Sequence, residues 1–355
     1  MVTGRVLVAR MDNLGDVLLA GPAVRAAAAQ ADSVTLLAGP RGRAAAELLP
    51  GVDEVIEWCA PWIDPEPEPI TSESLTALRF RLRAGGFDRA FILTSFHQSP
   101  LPLALLLRDA GVPWIGAISE DYPGSLLDLR HYVPGDPPEA ERALSLMRAA
   151  GFTLPESDDG RLAVRRLLPD VSHLVGVPGY VVVHPAASAP AREWPADRCA
   201  EAVRLLTEAG HRVIVTGGPG DVGTAIAGDW ALDLTGATTL AELAAVLDGA
   251  SVVVAPNTGP AHLAAAVGTP VVSLFAPVVP ASRWAPYRVP TVLLGDQGAP
   301  CRATRARTCP IPGHPCLNDV APHDVVDAVE HLLLYAPKWP AADLVATFEP
   351  TGGGA

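Results

Sequence analysis

The sequence predicts an α/β protein built from two doubly wound, parallel-sheet units in series. Three observations carry this. Short β-branched runs alternate with Ala- and Leu-rich stretches of helical length. The alternation restarts near Tyr180, after a stretch flanked by Pro169 and Pro178. A chain of 355 residues has the length of two ordinary domains.

In the first half the expected strands are Arg5–Ala9, Ser33–Leu37, Glu54–Ile56 and Arg89–Leu93. The expected helices are Asp16–Gln30, Arg41–Leu49, Ser72–Ala84 and Leu101–Ala110. In the second half, strands are expected at Tyr180–Val183, Arg212–Thr216, Ser251–Ala255 and Val271–Phe275. Helices are expected at Pro195–Ala209, which opens on a proline, and at Ala241–Leu247, Gly259–Ala266 and Val325–Leu334. The units are therefore expected at 1–170 and 178–335, joined through Leu168–Gly179. Residues 336–355 are expected to form a loose tail, with Gly352–Gly354 disordered.

Hydrophobic residues make up 49% of the chain and charged residues 18%, enough apolar material for two packed cores. The net charge of −13 argues against nucleic acid as a partner, because phosphate backbones require clustered Lys and Arg. The sequence starts on a strand, without a charged-then-apolar leader. No apolar run reaches about 18 residues, so no membrane span is expected. Five cysteines, an odd number, fit reduced thiols and a cytoplasmic location.

Ligands of open α/β sheets bind beyond the carboxyl ends of the strands. The loops to read are therefore Met11–Gly15, Thr94–Ser99, His184–Glu193, Gly217–Asp221 and Pro256–His262. Asp16 follows Gly15 where the first strand should give way to helix. Its carboxylate is either a helix cap or the base of an active site. Asn257, Thr258 and Gly259 open a helix whose first N–H groups suit a phosphate, with His262 in the first turn. Ser188 and Arg192 could hydrogen-bond and neutralise the same phosphate. Gly217-Gly218-Pro219-Gly220-Asp221 lacks the G-x-G-x-x-G spacing, which argues against a nicotinamide dehydrogenase. Asp221 could still hold a ribose hydroxyl, or simply close a turn. Cys301, Cys309, His314 and Cys316 could supply three thiolates and an imidazole. Their gaps are wider than the C-x₂-C pairs of structural zinc sites, so no metal is expected.

Together these motifs resemble glycosyltransferase family nine, the ADP-heptose:lipopolysaccharide heptosyltransferase family. The segments that carry the likeness are VLVARMDNLGDVLLAGPAVRAA, HPAAS…AREWP and NTGPAHLAAAVGTPVVSLFAP. A fourth, CRATRARTCPIPGHPCLNDVAPHDVVDAV, is similar to the Cys-rich end of the heptosyltransferase II-like branch. The likeness covers about 1–335 and keeps the four motifs in order.

The resemblance implies a GT-B fold: two Rossmann-like domains facing across a cleft. The acceptor is held by the N-terminal domain and the nucleotide-sugar by the C-terminal one. It also implies an inverting, metal-independent sugar transfer, with ADP-heptose as the expected heptose donor and no cofactor. Asp16 falls on the family's general base, with Asn13, Gly15, His97 and Gln98 on the acceptor side. Ser188, Arg192, Gly218, Asp221, Asn257, Thr258, Gly259 and His262 fall on the donor side. The sequence departs from the pattern at Asn257, where the family carries Asp, and at Arg192, where it carries Lys. His97 and Gln98 stand where lipopolysaccharide enzymes often carry a basic residue, which points to a different, neutral acceptor. The expected partners are a nucleotide-sugar and a glycan or small-molecule acceptor. Peripheral contact with a membrane stays open. Two other readings remain: a GT-B-shaped sugar-nucleotide epimerase or hydrolase, and a non-catalytic sugar-binding protein.

Overall fold

The computed structural model describes residues 4–336 and 338. The chain divides into two compact units. The first holds the chain up to Leu167 together with Ser282–Arg288; the second holds Leu168–Ala281 and the chain from Val289 onward. The reading of 178–335 as one uninterrupted domain therefore differs from the structure at 282–288.

The reason lies in the side chains of that heptapeptide. Arg283 Nε donates to Asp136 Oδ1 at 2.8 Å, and Tyr287 OH donates to Glu141 Oε1 at 3.0 Å. Trp284 Nε1 donates to Asp16 Oδ1 at 3.3 Å, and Arg288 bonds the Asp159 carbonyl. No periodicity in sequence announces such a return.

The first unit carries β1 (Arg5–Arg10), β2 (Ser33–Ala38), β3 (Glu54–Glu57), β4 (Arg89–Ile92), β5 (Trp114–Ile118) and β6 (Leu129–His131). They form one parallel sheet in the order β3-β2-β1-β4-β5-β6. The second unit carries β7 (Tyr180–Val183), β8 (Val213–Val215), β9 (Leu232–Asp233), β10 (Ala250–Pro256), β11 (Val271–Leu274) and β12 (Thr291–Leu294). Its sheet is also parallel, in the order β12-β11-β10-β7-β8-β9. Both are the 3-2-1-4-5-6 doubly wound order, so each unit has one switch point: between β1 and β4, and between β7 and β10. The central strands are buried on both faces, as parallel strands between two helix layers must be. Leu7, Ile92, Leu103 and Ile115 pack in the first core, and Val181, Val254, Trp194, Leu206 and Val329 in the second.

The helix expected over Asp16–Gln30 is two helices, Leu14–Leu19 and Gly21–Ala28. Pro22 explains the break: it has no N–H, and its ring meets the carbonyl four residues back. Strands β5, β6, β9 and β12 were not expected, nor was the helix Glu139–Ala149. That helix did have signals: Pro138 before it, Glu139 and Glu141 in its first turn, and Gly151 just past its end. The expected linker contains a short helix, Ser172–Val175. The expected tail lies outside the described residues except for Ala336 and Lys338. Lys338 Nζ donates to Asp248 O, Val267 O and Thr269 Oγ1.

Candidate active site

The first site grows from the carboxyl end of β1, at the switch point of its sheet. Arg10, the last residue of β1, is buried. Its Nη2 donates to Asp16 Oδ1 at 2.8 Å and to Ser95 Oγ, beyond β4, at 2.9 Å. Its Nε lies 3.1 Å from Asp12 Oδ2, and Nη1 lies 3.9 Å from Glu139 Oε2. Burial works against the Arg10 charge. Asp12, Asp16 and Glu139 outweigh it and hold the guanidinium above its ordinary pKa.

Asp16 occupies the first turn of the helix Leu14–Leu19, whose N-cap, Asn13, makes no side-chain cap bond. The capping reading of Asp16 is thus not what the structure shows. Its carboxylate turns toward Arg10 and Trp284 instead. Both donors fall on Oδ1, and among the described residues no hydrogen bond falls on Oδ2. Gly15 is buried in the same helix and Asn13 is exposed. Gly39 lets the neighbouring loop seat here, since a Cβ on it would lie 2.4 Å from the Met11 carbonyl.

Gln98 has a task other than acceptor contact. Its Nε2 donates to Asp12 Oδ1 at 2.5 Å, and its Oε1 accepts from Ser95 N–H at 3.0 Å. It ties the loop after β4 to the loop after β1. Asp12 is nearly enclosed. Burial raises its pKa to about 6, against the opposing pull of Arg10 and Gln98. His97 is exposed, with its ring edge against Phe96. Phe96 in turn lies 5.7 Å from the Trp284 ring and 4.6 Å beneath the Arg283 guanidinium. Sequence reasoning missed Arg10, Glu139, Phe96, Arg283 and Trp284. As a site residue only Arg10 had a signal, a charge closing the apolar run Val6–Ala9.

The second site lies at the other switch point, where the loops after β7 and β10 meet. His184 follows β7 and is buried, with Nδ1 sharing a 3.0 Å hydrogen bond with Thr216 Oγ1. Burial drives its pKa down to about 4, so the imidazole is neutral. Arg192 ends the short 3₁₀ turn Pro190–Arg192, and its Nη1 approaches the Asn257 carbonyl at 3.5 Å. Trp194 anchors that turn: it is buried, and Nε1 donates to Val320 O at 3.3 Å. Asn257 is buried as well, and its Nδ2 has no hydrogen-bond partner among the described residues. Thr258 is the N-cap of the helix Gly259–Ala266 without a side-chain cap bond, and His262 is buried in that helix's first turn. Ser188 is exposed. Gly218 N–H donates to Asp221 Oδ2 at 2.6 Å, so Asp221 does close its turn, using one of its two oxygens.

The structure thus brings Arg192, Asn257, Thr258, Gly259 and His262 to one end of one sheet. The four donors of the Cys-rich segment behave differently. Cys301 and Cys316 are buried in the second core, and Cys309 Sγ donates to Ile311 O at 3.5 Å. Burial, then the neighbouring Cys301 and Cys309, push the Cys316 thiol up to about 12. His314 Nε2 is buried and has no hydrogen-bond partner among the described residues. Among the described residues no three His, Cys, Asp or Glu side chains are grouped to hold a metal ion.

Residues 75–314 match the family model described as Glycosyltransferase family 9 (heptosyltransferase). The chain belongs to glycosyltransferase family 9. A curated relative, lipopolysaccharide heptosyltransferase 3 of Escherichia coli (strain K12), is 31% identical over 151 residues. That match covers 38% of this chain and 43% of the relative's length. The solved structure of a family 9 glycosyl transferase from Veillonella parvula DSM 2008 superposes with a TM-score of 0.75 at 18% identity. It covers 94% of this chain and 98% of that one. E. coli heptosyltransferase WaaC, solved with ADP-2-deoxy-2-fluoro heptose, gives 0.69 at 21% identity, covering 92% and 99%. The fold of this family 9 member is the GT-B fold that its motifs imply. No helix among its described residues is long and apolar enough to cross a membrane.

Proposed function

We propose that this protein is an inverting, metal-independent glycosyltransferase that moves a sugar from a nucleoside-diphosphate donor to an acceptor hydroxyl. The donor we favour is ADP-heptose. Family membership supports sugar transfer, and the WaaC complex with an ADP-heptose analogue supports the donor class.

The observation that carries the reading is the asymmetry of Asp16. Arg10 and Trp284 hold Oδ1, which fixes the carboxylate and leaves Oδ2 to take a proton. The acceptor hydroxyl attacks the anomeric carbon while Oδ2 removes its proton. The bond from the anomeric carbon to the diphosphate oxygen breaks in the same displacement, so the configuration inverts. On the donor side, Arg192 and the N–H groups of Thr258 and Gly259 meet the charge that develops on the leaving diphosphate. Asn257 Nδ2 is a further donor suited to a phosphate or sugar oxygen. Asp221 spends one oxygen on Gly218 N–H, and in this reading its other oxygen accepts from a ribose hydroxyl.

The test is Asp16→Asn. A general base contributes about 10²- to 10⁴-fold, so transfer should fall at least about a hundredfold. ADP binding, measured by thermal shift beside UDP, GDP and dTDP, should be unchanged. Transfer at a near wild-type rate would remove Asp16 as the base.

A further inference from the structure

The surroundings of Asp16 carry information about the acceptor. Three guanidiniums, of Arg10, Arg142 and Arg283, lie in this part of the first unit. Each is already matched. Arg10 pairs with Asp12, Asp16 and Glu139, and Arg142 with Glu139. Arg283 pairs with Asp136 and Glu139. Three cations thus meet four carboxylates. Their side chains are also largely enclosed, at 4%, 9% and 10% exposure, so none can swing out toward a ligand at little cost. An acceptor phosphate beside Asp16 would have to strip a buried ion pair and would still face surplus negative charge.

What the site offers instead is an aromatic wall. The indole N–H of Trp284 reaches Asp16 Oδ1, so its half-buried ring lies beside the reacting position. Phe96 continues the wall, packed on the ring of Trp284 and covered by Arg283. The C–H face of a pyranose is apolar and weakly positive, and it complements the negative face of an aromatic ring.

We propose that the acceptor taken at Asp16 is an uncharged sugar or polyol laid against Trp284, and not a phosphorylated one. This rests on Asp16 being the acceptor-side base. Trp284 is then a specificity residue as well as an anchor for Asp16.

The experiment is saturation-transfer NMR with methyl α-D-mannopyranoside and with mannose 6-phosphate, at matched millimolar concentrations, on the intact chain. The uncharged glycoside should receive saturation and the phosphate should not. Trp284→Ala should abolish the signal, while Trp284→Phe, which keeps a ring but loses the N–H, should retain it. Asp136→Ala, which takes a carboxylate from Arg283, should raise the affinity for mannose 6-phosphate about tenfold. Equal or better binding of the phosphate by wild type, binding of neither sugar, or full glycoside binding by Trp284→Ala overturns the proposal. The same samples are titrated with ADP. Absence of ADP binding beside intact glycoside binding would sink the transferase reading and leave the acceptor class standing.

Discussion

His184 should make the second unit acid-labile in a way that one substitution removes. Burial lowers its pKa from 6.5 to about 4, with Asp221 pulling weakly the other way. The folded state therefore resists a proton that the unfolded chain accepts from about pH 6.5 downward. A depressed histidine contributes stability that is present above its unfolded pKa and lost as pH falls toward the folded value. Two and a half units correspond to roughly 3 kcal/mol in all, and roughly 2 kcal/mol of that is lost between pH 7 and pH 5. His184→Asn places an amide near Nδ1, within reach of Thr216 Oγ1, and does not titrate. Native-state hydrogen exchange of Val182 and Ile214 amides, read at both pH values, isolates this unit from the other. The wild type should lose about 2 kcal/mol more than the variant on acidification. Equal losses would show that His184 accepts its proton without leaving the fold, and the burial argument would fail.

Asp12 should act in the opposite sense in the first unit. Its folded pKa of about 6 exceeds the 3.8 of an ordinary Asp, so its contribution is present below about pH 4 and is lost as pH rises through 6, a swing of roughly 3 kcal/mol that Asp12→Asn should erase from amide exchange in β1. An unchanged slope in that variant would contradict the assignment. Arg192→Ala should weaken ADP binding by about 1.5–3 kcal/mol, the scale of a charged hydrogen bond, with EDTA having no effect on wild type. Unchanged calorimetric affinity in the variant, or loss of wild-type binding with EDTA, would count against the donor scheme. All five cysteines are free thiols; the half-buried Cys59 and Cys309 should react first with a thiol reagent. Cys199 and Cys316, whose thiols burial pushes up to about 12, should wait for denaturant. One zinc per chain in the purified protein, lost on mutating Cys309, would instead make the Cys-rich segment a metal knot.

The sheets were legible wherever a strand carried its own pattern. Tyr180–Val183 is valine after its tyrosine, and Val271–Leu274 is apolar except for the buried Ser273, because a parallel strand between two helix layers buries both faces. Leu232–Asp233 and Leu129–His131 were not legible. Two or three residues have no period, and they are strands only because a neighbour supplies the hydrogen bonds. The break at Ala20 could have been read from Gly21-Pro22, a helix breaker and a weak helix former side by side. The return of Ser282–Arg288 to the first unit could not, since its anchors Asp16, Asp136 and Glu141 lie more than a hundred residues away in sequence.

The same division explains what was read correctly about Asp16 and what was not. Its place beside a strand end is a local property, visible in GDV after an apolar run. Its chemical character is set from afar, by Arg10 across the helix start, Ser95 behind Arg10, and Trp284 from a distant segment. Gln98 shows the converse. A polar residue in a ligand-facing loop reads as a contact residue, yet both ends of its amide are spent on Asp12 and Ser95. A loop that must hold a carboxylate in one orientation needs such braces, because an unrestrained side chain would spread its acceptor oxygen over several rotamers. Part of the polar content of the loops is therefore committed to positioning. Among the described residues, Oδ2 of Asp16 in the first unit and Nδ2 of Asn257 in the second are two of the atoms that the fold has not used, and the proposed chemistry draws on both.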